Sequence, residues 1–123
     1  MEKIKIVLDT DMGSDCDDAG ALEVPLNLAE MGEVEVITAV YCCSEICGAY
    51  AVKSINQWYG RQNIPVGRCD KKKVIEGGNY SKYTKPIMEK FVDSRRAEVC
   101  KCNARIEKNS FGKFPSAHCI LRI

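Results

Sequence analysis

Between Asp9 and Asp18 the chain sets five aspartates within ten residues, directly behind the apolar run Ile4, Ile6, Val7 and Leu8. Lys3 to Leu8 reads as a short strand, so the carboxylates gather at its end, where their mutual repulsion opposes folding unless positive charge sits among them. A helix start supplies part of that charge through its exposed N–H groups, which makes Asp17 or Asp18 a candidate N-cap. One cap accounts for one or two carboxylates. The others, Asp9, Asp11 and Asp15 among them, ask for a hard cation with oxygen ligands, Ca²⁺ or, less well matched, Mg²⁺. Gly13 lets the backbone turn sharply between Asp11 and Asp15, so that strand end and helix start converge. The plainer reading of the same residues is a solvated acidic loop with a helix cap.

The rest of the pattern places this loop in an α/β fold. A helix is expected from about Asp17 to Met31, with Ala21, Leu22, Leu26 and Ala29 near one face, Gly32 as its stop and Pro25 as a kink or a shortening. A β-branched run from Val34 to Val40 reads as a second strand and Ser44 to Tyr59 as a second helix closed by Gly60. Ile64 to Cys69 is a third, short strand. After Lys71 to Lys73 and the Gly77-Gly78 turn comes a helix around Tyr83 to Phe91, beginning near Pro86. The β-α-β-α order predicts a Rossmann-like three-layer fold with a mainly parallel sheet and crossover helices. Ligands of such sheets sit in the crevice at the carboxyl ends of the strands. That is where the acidic loop falls.

Composition narrows the classes of function. With 123 residues the chain has room for one compact domain, and a formal net charge of +1 gives no footprint for nucleic acid or a membrane surface. No stretch is apolar enough to cross a bilayer, and no secretory leader is read at the start; a cytoplasmic setting is expected, with the 8 cysteines reduced. The charge is uneven: residues 99–123 hold five of the 18 basic residues but only one of the 17 acidic ones.

At the acidic loop the sequence resembles a known family. DTDMGSDCDDAGAL is similar to the N-terminal metal and ribose motif of the inosine-uridine-preferring nucleoside hydrolases, in a variant with a longer loop before the paired aspartates. GEVEVITAV, YGRQNIPVG, EGGNYSKY and FVDSRRAE follow the family more loosely, so that the likeness spans roughly residues 3–98. It implies a Ca²⁺-dependent N-ribohydrolase that cleaves the N-glycosidic bond of a purine or pyrimidine ribonucleoside. Carried over by position, Asp11 would be general base and metal ligand, Asp17 would face the ribose and Asp18 would ligate the metal. Asp9 would support the shell, and Asp15 lies in the extra loop residues. The chemistry suits carboxylates, because ribosyl transfer passes through an oxocarbenium-like state that negative charge stabilises.

The likeness also has breaks. Family members are well over twice this length, and many carry a ribose-binding Asn after the second strand, where this chain has Tyr41-Cys42-Cys43-Ser44. Residues 1–98 therefore read as the N-terminal part of a nucleoside-hydrolase-like domain. Residues 99–123 read as an anomalous tail without periodicity, of the kind a frameshift produces, and are not expected to extend the core as a regular α/β unit. An incomplete or inactive enzyme is expected, whose open sheet edge favours self-association or a homo-oligomer. Two other classes compete. One is a haloacid-dehalogenase-type phosphohydrolase using the Asp9-x-Asp11 pair, with Asp9 attacking phosphorus and Mg²⁺ assisting; the other is a truncated domain without catalysis.

The remaining features have plainer explanations. Cys100, Cys102, His118 and Cys119 are zinc-compatible residue types, but their spacing is not a common finger arrangement. Cys42, Cys43 and Cys47 read as small apolar packing residues, Trp58 and Tyr59 as packing aromatics, and Lys71 to Lys73 as a solvated loop.

Overall fold

The structure is a computed structural model and describes residues 3–13, 15–43, 45–69, 82–90, 99–102 and 119–122. Its strands are β1 (Ile4–Thr10), β2 (Val34–Tyr41), β3 (Val66–Cys69), β4 (Cys100–Cys102) and β5 (Cys119–Arg122), and its helices are α1 (Asp17–Glu30), α2 (Ile46–Trp58) and α3 (Thr84–Lys90). The fold is α/β. All neighbouring strands run parallel, in the order β4-β3-β2-β1-β5. β1 is thus an interior strand, and Ile6, Val7, Leu8 and Thr10 are all buried.

Successive crossovers from β1 to β2 to β3 step along the sheet in one direction, which brings their helices to one face. α1 and α2 indeed touch each other, and α3 packs on α2. Under them lies one core of Ile6, Leu8, Leu22, Leu26, Val36, Tyr41, Val52 and their neighbours. In β2 the register against β1 shifts by one residue at Ile37, after which Asp9 stands opposite Val40 and Thr10 opposite Tyr41. The two strands therefore end level. The Cys42 amide donates to the Thr10 carbonyl at 3.0 Å and ties the loops that follow them.

Both helix stops fall at the expected glycines. Gly32 has φ +82° and Gly60 φ +68°, the left-handed backbone that only glycine adopts at low cost. Around Gly32 the Glu33 amide reaches the Leu28 carbonyl at 3.0 Å and the Gly32 amide reaches Ala29 at 3.2 Å; around Gly60 the Arg61 amide reaches Asn56 at 2.7 Å and the Gly60 amide reaches Gln57 at 2.9 Å. These are paired Schellman closures, which satisfy carbonyls the helix would otherwise leave open.

Several expectations are corrected. Pro25 does not shorten α1, which runs on to Glu30 with Pro25 buried, because contacts of Leu22 and Leu26 with the core outweigh one missing backbone bond. β3 starts at Val66, not Ile64: Pro65 has no amide to give to the ladder, while its carbonyl accepts the Ala39 amide at 3.1 Å and the Thr38 hydroxyl at 3.0 Å. α3 spans Thr84–Lys90, with Pro86 inside its first turn where no backbone donor is needed. Phe91, Lys71 to Lys73 and the Gly77-Gly78 turn lie outside the described residues. Trp58 is 77% exposed and lies outside the core, whereas Tyr59 rests against it.

In the tail, Cys100–Cys102 pairs with β3 and Cys119–Arg122 pairs with β1, so two stretches beyond Glu98 join the sheet, one at each edge. Strands of three and four residues are too short to show a periodicity in the sequence. The same topology sets Cys100 and Cys102 apart from Cys119 in the sheet: β4 and β5 are four strand spacings apart, about 19 Å at the usual ~4.8 Å per step. His118 lies outside the described residues.

Candidate functional site

Strand alternation decides which of the five aspartates meet. Ile6 and Leu8 belong to the core under the helices, and a period of two puts Thr10 on that same face and Asp9 on the opposite one. Thr10 thus ends β1 beneath the start of α1. Its hydroxyl donates to Asp18 Oδ1 at 3.0 Å and accepts the Met12 amide at 3.2 Å. Asp18 is 5% exposed, which is rare for a carboxylate. Burial raises its pKa above the ordinary carboxylate value; the Thr10 hydrogen bond works against the rise, and the charges of Asp11, Asp17 and Asp15 add to it.

Neither Asp17 nor Asp18 is the N-cap. That position belongs to Cys16, whose side chain makes no capping bond, and its carbonyl accepts the first helical bond from the Gly20 amide at 3.2 Å. Both aspartates lie inside the first turn, where Asp17 Oδ1 accepts the Asp18 amide at 3.0 Å. The helix start offers them its positive end, an effect of about 0.3–1 kcal/mol for an exposed charge.

One group of potential metal ligands stands out among the described residues. Asp15, Asp17 and Asp18 can each bring a carboxylate oxygen within 4.8 Å of the others. Asp15 and Asp17 are exposed and Asp18 is buried. Asp11 and Asp9 fall outside this group. Asp11 is half-buried just past β1, close enough for its charge to act on Asp18 and on the Cys42 and Cys43 thiols, and its carbonyl accepts the Cys43 thiol at 3.9 Å. Asp9 is a residue of β1 itself.

The donor set suits a hard cation. Oxygens on a shell of radius about 2.4 Å stand at most about 4.8 Å apart, so three carboxylates at this spacing can share one metal ion. A second observation points to the same place. The Tyr83 hydroxyl is buried without a hydrogen-bond partner, and the charges acting on it are those of Asp18, Asp15 and Asp17. Burial, then those charges, raises its pKa, so the hydroxyl keeps its proton and remains a donor.

Cys42 and Cys43, beside the site, are poor nucleophiles. Cys16, Cys42, Cys43 and Cys47 are free thiols. Burial, then the neighbouring Cys43, Asp9 and Asp11, pushes Cys42 up to about 12, and burial with Asp11 raises Cys43 as well. Thiols held protonated neither attack nor ligate.

Sequence reading identified the loop but missed Thr10 and Tyr83. Thr10 had a signal, since it lies two residues beyond Leu8 and so shares its face. Tyr83 had none, being an aromatic at a helix start more than sixty residues away. Compared with protein-family models, curated proteins and solved structures, the chain finds no match. Among the described residues no helix is long and apolar enough to cross a membrane.

Proposed function

We propose that this chain carries the cation- and ribose-binding part of a nucleoside-hydrolase-type N-ribohydrolase, with Ca²⁺ held by Asp15, Asp17 and Asp18. The observation that carries the reading is the convergence of those three carboxylates at the carboxyl end of a parallel sheet, where α/β folds bind ligands. When bound, the cation would supply a positive centre that orients oxygen ligands such as vicinal sugar hydroxyls. Asp17, exposed at the helix start, would face the ribose as well. Asp11 is proposed as the general base, because it stands beside the triad without being spent in it and a base must lie within hydrogen-bond reach of the attacking water. The Tyr83 hydroxyl, a buried donor without a partner, would be satisfied by an oxygen of the bound ligand. Free thiols fit the cytoplasmic setting proposed with this reading.

The test is equilibrium binding and turnover of inosine and uridine with and without Ca²⁺, beside a phosphate monoester with Mg²⁺. Ribonucleoside binding that requires Ca²⁺ is expected, with weak turnover or none. Hydrolysis of the phosphate ester alone would replace the proposal with the phosphohydrolase reading, in which Asp9 attacks phosphorus.

A further inference from the structure

We infer that the sheet face turned away from α1 and α2 is an internal docking surface, and that its occupant is the connection from β4 to β5, residues 103–118. Alternation along the strands builds this face. Ile6 and Leu8 in β1, with Val36, Ala39 and Tyr41 in β2, belong to the core under the helices. A period of two therefore turns Val7 and its register partner Thr38 to the other side. Val40, which stands opposite Asp9 in β1 and Gly67 in β3, continues that row. Val7 is 4% exposed and Thr38 8%, yet Val7 has no place in the core under the helices. Both are covered within a single chain, from the side that α1 and α2 do not occupy.

The order of the strands selects the cover. From β1 through β2 and β3 to β4 the chain steps along the sheet in one direction, and from β4 it returns past all of them to β5, which is again parallel. Parallel crossovers keep one hand, right-handed in about 98% of cases. A connection of the same hand that travels in the opposite direction passes over the opposite face. With α1 and α2 on one face, the return crosses the other. Its length agrees. β4 ends opposite Cys69, one residue beyond the level of Thr10, and β5 begins opposite Ile6. The two ends are therefore about 19 Å apart across the strands and about 17 Å along them, or about 25 Å in all. A connection of this length spans up to about 60 Å when fully extended, which leaves enough chain to lie down on the face. Its sequence suits an apolar surface, since it includes Ile106, Phe111 and Phe114. A second copy is not needed to bury Val7 and Thr38, because one chain already does so.

Photo-crosslinking in the full chain tests the assignment. The photoreactive residue p-benzoylphenylalanine is placed at Val40, on the face in question, and in a separate variant at Val24, which is exposed on α1. After irradiation the cross-linked peptides are mapped by mass spectrometry. Position 40 is expected to capture peptides from residues 103–118 of the same chain, with a yield that does not fall on dilution, and position 24 is expected to capture none of them. If the bulky group at Val40 prevents folding, Glu35 takes its place. Glu35 is exposed and pairs with Lys5 on the same side of the sheet. Capture of peptides from α1, α2 or α3 at position 40 or 35, or capture of residues 103–118 from position 24, would overturn the assignment. So would a cross-linked product of twice the chain's mass that disappears on dilution, which would make a second copy the occupant.

Discussion

At Asp18, burial and three neighbouring carboxylates make the folded chain hold a proton more tightly than the unfolded chain does. A raised acid contributes stability in full below its unfolded value near 3.8 and loses that contribution as pH climbs through the folded value. At neutral pH, without a cation, Asp18 therefore opposes folding. Asp18→Asn keeps an oxygen to accept from Thr10 and removes the charge. It is expected to melt several degrees higher than wild type in chelator, consistent with a gain of about 0.5–2 kcal/mol, and to lose any response to Ca²⁺. Thermal melts at pH 7 with and without chelator check both, and a lower melting temperature in chelator would contradict the electrostatic account. Tyr83→Phe is a second test at this scale. Removing a buried hydroxyl without a partner is expected to leave the free protein as stable as wild type or more so, by up to about 1 kcal/mol, while weakening ribonucleoside binding.

At the scale of elements, what the sequence reveals depends on whether the cause is local. The glycine stops at Gly32 and Gly60 were legible because a left-handed closing residue is a property of the chain around it. The order of β1, α1, β2 and α2 was legible for the same reason. The seating of β2 against α2 was not. Tyr41 is fully buried, and a Cβ on Gly48 would collide with its ring. Nothing in the sequence pairs those two positions, since the contact depends on how α2 is laid across the sheet. Gly48→Ala is expected to destabilise the protein by about 1–3 kcal/mol through overpacking, measured by denaturant unfolding. Gly20→Ala, where a Cβ meets nothing within 4 Å, is the matched control and should be neutral or stabilising. Equal effects at the two glycines would show that Tyr41 does not rest there.

For the molecule as a whole, the five-stranded sheet gives the region beyond Glu98 a structural part. β5 covers the open side of β1, pairing Ile6 to Asp9 with Cys119 to Arg122, and Val99 rests against the core. Deleting residues 118–123 is expected to expose that edge, speed amide exchange in β1 and promote self-association. Unchanged protection of β1 would contradict the pairing. Parallel order at the site end was legible, because β-α-β connections leave few alternatives. The edge strands were not, because pairing between residues more than a hundred positions apart leaves no trace in a short window. Of the site, the loop was legible and its grouping was not, since which face each aspartate takes depends on where β1 ends.

The central claim is that Asp15, Asp17 and Asp18 hold one hard divalent cation, and titrating Ca²⁺ into the full chain beside a variant with all three changed to Asn tests it most directly. Wild type should bind a single ion and gain about 2.7 kcal/mol of stability at 100-fold excess over Kd, while the variant binds none. No uptake by wild type, or equal uptake by the variant, would contradict the account.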